Sequence, residues 1–333
     1  MRAFVTGGTG FVGKPFVRRL LADGWDVTLV TRSRKNAPEG GQVTVYEGDL
    51  SDRAVLEEAA RKEEAFDAVF HLGASLTYFG DEKELRQANV EGTRNVLDLA
   101  VRTGAKKFVY ASSIEAVGTV EQVPAPHDVP CRPVSSYGRS KVQAEKLVRE
   151  VSREHFPSVI LRIGNVYASD HFNFFYDIAD AILTRNRLWE FLPVYAHHRL
   201  QPAYNADVTE GIVAAWRADV KGSETVTLAG EHASMGEMFE MVADALGRKL
   251  HPRSPNRGDE IFLKIRRHYH EYRKQMDLIT YAMAGSGKRV HRAYDLEHTY
   301  RTIGFRPAKP LREGVREFIE WTIRGGYVNP AQE

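Results

Sequence analysis

Tyr137 and Lys141 stand four residues apart in Tyr137-Gly138-Arg139-Ser140-Lys141, at the start of a stretch with helical periodicity, so a phenol and an ammonium share one helix face. A free phenol has a pKa of about 10, and it exchanges protons readily at neutral pH only where positive charge favours the phenolate. Lys141 supplies such a charge. Ser112-Ser113 closes the preceding apolar run. A hydroxyl there can hold a substrate oxygen within reach of the phenol's proton.

These three groups meet only if a sheet brings them to one edge. Short apolar, β-branched runs at 2–6, 26–31, 42–46, 67–71, 107–111 and 158–163 are expected to be strands. Amphipathic stretches at 11–23, 52–64, 84–103 and 137–153 are expected to be helices, the first stopping at Asp23-Gly24. That alternation predicts an α/β fold, a doubly wound parallel sheet of the Rossmann kind, whose carboxyl edge faces a ligand crevice. After Ile163 the rhythm breaks. An aromatic-rich stretch from Phe172 to Tyr195 precedes a helix near 206–218, a strand near 224–229 and further helices. Residues 1–168 are therefore read as a nucleotide-binding domain to which 200–230 returns, and 169–199 with 231–333 as a smaller, interleaved substrate lobe.

The first strand runs directly into Thr6-Gly7-Gly8-Thr9-Gly10-Phe11-Val12-Gly13 and then a helix. In that context Gly7 allows the tight turn, Gly10 lets backbone approach a pyrophosphate, and Gly13 lets the helix pack close to the sheet. The helix start then faces the anion with free N–H groups. A dinucleotide is the expected ligand. An acid at the end of the second strand would hold the ribose hydroxyls of NAD, but the chain reads Thr31-Arg32-Ser33-Arg34-Lys35. Arg32 and Arg34 suit the 2′-phosphate of NADP, because a guanidinium fork matches phosphate oxygens. NADP(H) is expected over NAD(H). Asp49, in Gly48-Asp49-Leu50 after the third strand, can accept from the adenine amino group.

Composition narrows the field. Lys plus Arg number 46 against 44 for Asp plus Glu, a net charge of +2 over 333 residues, which gives no footprint for a nucleic-acid partner. The single cysteine, Cys131, excludes an intramolecular disulfide and paired-Cys zinc sites. A strand-like run from residue 2 leaves no room for a cleaved leader, and no window is apolar for the roughly 18 residues of a membrane span. A cytoplasmic protein without an integral membrane segment is expected.

Further motifs fall in a set order: the glycine loop, Gly48-Asp49-Leu50, His71-Leu72-Gly73-Ala74, Asn89-Val90-Glu91-Gly92-Thr93-Arg94-Asn95, the Ser pair, Tyr-x-x-x-Lys, and Leu161-Arg162-Ile163-Gly164-Asn165-Val166-Tyr167. Together they resemble the extended short-chain dehydrogenase/reductase family, the NAD(P)-dependent epimerase/dehydratase group. The resemblance implies Ser113, Tyr137 and Lys141 as the catalytic trio and Asn89 as a support near the lysine. It implies cofactor contacts from Gly7, Thr9, Gly10, Phe11, Val12 and Gly13, from Asp49, Leu50, Leu72, Gly73, Ala74 and Ser112, and from Asn89, Tyr137 and Lys141. A homodimer through 84–103 and 137–153 is implied by the same analogy. Ser112-Ser113-Ile114-Glu115 with Gly118, after Leu76-Thr77-Tyr78-Phe79-Gly80, is closest to the 3β-hydroxysteroid dehydrogenase and hopanoid-associated branches. The family's sugar epimerases usually carry Tyr-Gly where this chain has Val117-Gly118, and the Asp that 4,6-dehydratases need is Ile114 here.

The expectation is an oxidoreductase that interconverts a secondary alcohol and a ketone on a fairly apolar or ring substrate. A nucleotide-sugar epimerase with tightly held NAD is the rival, and a non-catalytic NADP(H) sensor the third reading. Three features are read blandly: His71 as a packed residue lining the cofactor site, His197-His198 as no metal site, and the basic stretch 261–274 as a packed amphipathic helix. The aromatics Phe172, Phe174, Phe175, Tyr176, Trp189, Phe191 and Tyr195 are read mainly as lobe core, with part of the set expected to reach the substrate.

Overall fold

A computed structural model describes residues 1–38, 40, 42–63, 65–77, 81–184, 198–250, 258, 261 and 291–329. Its centre is a seven-stranded sheet. The strands are β1 (Arg2–Thr6), β2 (Asp26–Thr31), β3 (Val43–Glu47), β4 (Ala68–His71), β5 (Phe108–Ser113), β6 (Ser158–Ile163) and, from late in the chain, Ser223–Leu228. Their spatial order places β3, β2, β1, β4, β5, β6 and the late strand side by side, and every pairing is parallel. Parallel strands covered on both faces read as continuous apolar runs, and β6 is buried at all six positions.

Alternation along β1 shows how the two faces divide. Ala3 and Val5 point to one core with Phe16, Val17 and Leu20 of α1 (Gly13–Ala22), whereas Phe4 points to the other with Val55, Leu56 and Ala59 of α2 (Arg53–Lys62). Helix α1 ends at Asp23, and Gly24 at φ 77° turns the chain: its N–H reaches Leu21 O while that of Trp25 reaches Leu20 O, a Schellman closure.

The expected helix at 84–103 is instead three pieces: α3 (Glu82–Arg86), a π-helical turn at Gln87–Glu91, and α4 (Gly92–Arg102). Such turns redirect side chains within a helix, and this one carries Asn89. The helix expected at 137–153 forms as α5 (Ser136–Ser152). Ser135 caps it by accepting from Gly138 N, so Tyr137 sits in the first turn.

After β6 come the short strand β7 (Val166–Tyr167) and α6 (Phe174–Leu183), then β8 (Arg199–Leu200), β9 (Ala203–Tyr204) and α7 (Asn205–Arg217). Helix α7 packs on the sheet through Val208, Ile212 and Val213, and Ser223–Leu228 follows as β10 beside β6. Then β11 (Ala233–Ser234) leads into α8 (Met235–Ala245), begun by a capping box of Ser234 and Glu237. Helices α9 (Glu297–Ile303) and α10 (Leu311–Arg324) complete the chain. Phe175, Ile178, Met238, Phe239, Val315 and Phe318 of α6, α8 and α10 form a core separate from the two sheet cores.

Candidate active site

The carboxyl ends of β1, β2, β4, β5 and β6 open on one cavity of about 660 Å³, a volume within the range of small-molecule sites. It lies where the strand order reverses between β1 and β4. The glycine loop forms one wall, with Gly7, Thr9, Gly10, Phe11, Val12 and Gly13 all lining it. Gly7, at φ 70°, passes so close to the β4 exit that a Cβ would lie 2.6 Å from Gly73 N, and a Cβ at Gly13 would collide with Gly7 O. At Gly10 only Gly7 O, at 3.2 Å, is near, so its open side is the cavity. Helix α1 begins beside it with no side-chain cap, and the Asn205 amide of α7 donates to Phe11 O at 2.9 Å, holding the loop. Backbone held open at a helix start fits a diphosphate.

Arg32 lines the cavity beyond β2, with Ser33 and Asn36. Arg34 does not. Its guanidinium donates to Val45 O at 2.6 Å and lies 3.8 Å from Glu47, because the short 3₁₀ turn Arg34–Asn36 carries it over β3. Of the two arginines expected at a phosphate, Arg34 is thus placed away from the cavity, and Asn36 lines it beside Arg32. Asp49 and Leu50 line the cavity; hydrogen bonds from Ser51 N and Ser51 Oγ, with Arg32 nearby, hold the Asp49 carboxyl below its usual pKa. Leu72, Gly73 and Ala74 line it after β4, followed by Ser75 and Leu76.

At the other end Ser113, Tyr137 and Lys141 border the same space. The Ser pair divides as strand alternation demands. Ser112 borders the cavity but its hydroxyl donates to Glu145 Oε1 at 2.7 Å, whereas Ser113 Oγ accepts from Glu115 N at 3.2 Å and keeps its own O–H to donate. Lys141 is 2 % exposed. Its Nζ donates to Ala111 O at 2.7 Å and to Tyr110 Oη at 3.1 Å, and lies 5.9 Å from the Tyr137 ring centre. Burial, opposed by the Glu145 charge, pulls its pKa down to about 7. Glu145 itself is buried, yet Arg162, Ser112 and Arg149 outweigh that burial and keep its pKa below the usual carboxylate value.

Asn89 does not reach the cavity. Its amide donates to Ser75 O at 3.0 Å and Ser140 Oγ at 3.0 Å and accepts from Ser75 N at 2.7 Å, tying the segment after β4 to α5. It holds its neighbours together from behind the lining of the cavity. His71 is packed, as expected, but lies behind the lining and not in it. Thr93 gives its hydroxyl hydrogen to Asn89 O at 2.6 Å, so His71 Nε2 must donate to Thr93 Oγ1 at 2.9 Å. Nδ1 then accepts from Thr6 Oγ1 at 2.6 Å, which in turn accepts from Gly73 N at 3.1 Å. Burial and the Lys141 charge push the ring pKa to about 3, so this single tautomer persists at neutral pH.

Of the aromatic set, Phe174 and Phe175 are core, and Phe172 and Tyr176 pack with each other, Phe172 also against Trp321 and Tyr327; none of the four lines the cavity. Trp189, Phe191 and Tyr195 lie outside the described residues, as do His197 and, Ile261 apart, the basic stretch 261–274. Among the described residues no group of His, Cys, Asp or Glu is arranged to hold a metal ion, and no helix is long and apolar enough to cross a membrane. Sequence reading missed Tyr110, Asn36, Ser75 and the pair Glu145–Arg162. Tyr110 was within reach of it, since it shares a strand face with Ser112.

A doubly wound parallel sheet with a glycine loop at its switch point and a Ser, Tyr and Lys beside it is the architecture of a nicotinamide-dependent short-chain dehydrogenase/reductase. The match to known sequences agrees: residues 3–228 fit the profile of the NAD dependent epimerase/dehydratase family, and the chain belongs to that family. That family is one of NAD(P)-dependent enzymes of the extended type. A 4-hydroxy-2-methyl-3-oxo-4-farnesyl-3,4-dihydroquinoline-1-oxide ketoreductase of Stigmatella aurantiaca is 32% identical over 197 residues, 57% of each chain. UDP-glucose 4-epimerase 2 of Arabidopsis thaliana is 32% identical over 179 residues, 48% of this chain and 51% of that one. The chain thus spans little more than half the length of these relatives. The Bordetella bronchiseptica enzyme WbmG in complex with NAD matches over 98% of this chain and 96% of its own, with a TM-score of 0.76 at 21% identity, a likeness of fold.

Proposed function

We propose that the chain transfers a hydride between NADP(H) and a small molecule, interconverting a ketone and a secondary alcohol on a fairly apolar or ring substrate. One observation carries this reading: a single cavity has Ser113, Tyr137 and Lys141 at one end and Arg32 at the other, with no carboxylate in the four residues after β2. The nicotinamide supplies the hydride when bound. Ser113 O–H holds the substrate oxygen, Tyr137 gives or takes its proton, and Lys141 biases the phenol through its charge. Arg32 would hold the 2′-phosphate and Gly10 the diphosphate. Ala74, Leu76, Ala88 and Val166 give the lining an apolar component suited to such a substrate, and the ketoreductase relative supports the redox reading. The resemblance also implies a homodimer through 84–103 and 137–153, which sedimentation equilibrium decides; a monomer mass ends it.

The 4-epimerase relatives favour a second reading, in which the same trio oxidises and re-reduces one sugar carbon. The two differ in how they keep cofactor. Purified protein analysed for bound nucleotide, then titrated with NADPH and NADH, is expected to arrive largely empty, to bind NADPH more tightly, and to oxidise it in the presence of a suitable ketone. Co-purified NAD with no net NADPH oxidation, and interconversion of UDP-sugars, would establish the epimerase. Tight NADPH binding without turnover of ketone or sugar would leave a non-catalytic sensor.

A further inference from the structure

Lys141 is anchored from the strand side. Its ammonium has three N–H groups, and two of them go to β5: one to Ala111 O at 2.7 Å and one to Tyr110 Oη at 3.1 Å. The ring of Tyr110 also lies under the charge, with Nζ 4.7 Å from its centre. One N–H then remains for the cavity side, which Tyr137 also lines. Tyr110 is wholly buried, and its hydroxyl interacts with that of Thr93, the residue that receives His71 Nε2–H. Its own pKa is pushed far up by burial, so it stays a neutral phenol that can accept from the ammonium.

We infer that Tyr110 is a positioning residue for the reaction, fixing the Lys141 ammonium in place and keeping it protonated so that it can act on Tyr137. The inference rests on the reductase reading above for its kinetic test but not for its binding test.

The groups that face Lys141 are few. On α5 they are Tyr137 and the Glu145 carboxylate, the latter shared with Arg162 of β6 and Arg149; on β4 there is His71, held neutral; on β5 there is Tyr110. Glu145 favours the charged ammonium from a distance, while burial disfavours it and brings its pKa to about 7. An acceptor in direct contact therefore decides how much ammonium survives at neutral pH. The sign is fixed by this balance. The active form is present below the Lys141 pKa and lost as pH rises through it, and removing an acceptor moves that loss to lower pH.

Tyr110→Phe keeps the buried ring and removes only the oxygen. In NADPH-dependent ketone reduction the alkaline limb of the kcat/KM profile is expected to move down by about one pH unit, the scale of one hydrogen bond to a charged group. At the acid end activity is expected to stay within about threefold of wild type. In a Lys141→Met background Tyr110→Phe is expected to add nothing, because it acts through the lysine. Direct NADPH binding followed by fluorescence across the same pH range is expected to show the same downward displacement without any turnover. Unchanged limbs in both profiles, a uniform loss at every pH, or full additivity with Lys141→Met would each overturn the inference. A wild-type protein that binds NADPH but reduces no ketone would defeat the reductase reading and leave the binding test to decide Tyr110.

Discussion

The two ends of the cavity are built on different physical terms. At the reactive end a set of buried polar groups is committed: Lys141 to β5, Ser112 to Glu145, Glu145 to Arg162, Asn89 to Ser75 and Ser140. At the adenine end Arg32 is exposed, and its neighbour Arg34 lies on the surface in a loose pair with Glu47. A buried network holds its members to a fraction of an ångström but is costly to alter, since removing one partner leaves another charge or dipole unsatisfied. An exposed cation can be exchanged at little cost to the fold. On the proposed reading, the chemistry falls where the fold is least forgiving, and the choice between cofactors where it is most forgiving.

The largest effect that tests this contrast comes from the reactive end. Tyr137→Phe removes the phenol to which the proposed reading assigns the proton, while keeping a ring that is 6 % exposed. A fall in kcat of about 10²–10⁴-fold is expected, with the NADPH dissociation constant changed by no more than about threefold. Steady-state kinetics and fluorescence titration check the two halves. Turnover within tenfold of wild type would remove Tyr137 from the proton path.

Arg32→Ala probes the other end. A charge-assisted hydrogen bond contributes roughly 1.5–3 kcal/mol, so NADPH is expected to bind about 10- to 100-fold more weakly, while NADH binding and the melting temperature barely move. A parallel loss for NADH would mean that Arg32 holds the adenine or the ribose and not a 2′-phosphate, and the contrast between the two ends would then lose its functional meaning.

The sheet was legible because its signals are local. Six of the seven strands follow from short apolar runs, and β10 from the return of the rhythm near 224. The glycine loop was legible for the same reason: strand, turn and helix are contiguous. The π-helical turn at Gln87–Glu91 was not, because 84–103 has an unbroken helical pattern and the turn is selected by tertiary contacts, those of Asn89 with Ser75 and Ser140. The Glu145–Arg162 pair joins α5 to β6 across 17 residues; neither residue signals the other in sequence. Arg34 misled for a plainer reason. Arg32, Arg34 and Lys35 are equally basic-loop residues by composition, and only the 3₁₀ turn at Arg34–Asn36 sends Arg34 away from the cavity.

Arg34→Ala carries the smallest effect and sharpens the contrast most, because it separates position from charge. Arg32 and Arg34 are two residues apart and carry the same charge, so a purely electrostatic attraction between a basic loop and NADPH would weaken for both. The geometry says otherwise. The Arg34 side chain is 64 % exposed, donates to Val45 O and sits 3.8 Å from Glu47, an exposed pair of the kind that contributes about 0.2–1 kcal/mol or less. Its loss is expected to change NADPH affinity by less than about twofold in moderate salt, where a charge outside contact is screened, against 10- to 100-fold for Arg32→Ala. Equal losses for the two variants would show that the loop repacks around the phosphate, bringing Arg34 off β3. The contact at the adenine end would then be assembled by the ligand instead of waiting for it, and the contrast with the pre-built reactive end would be stronger still.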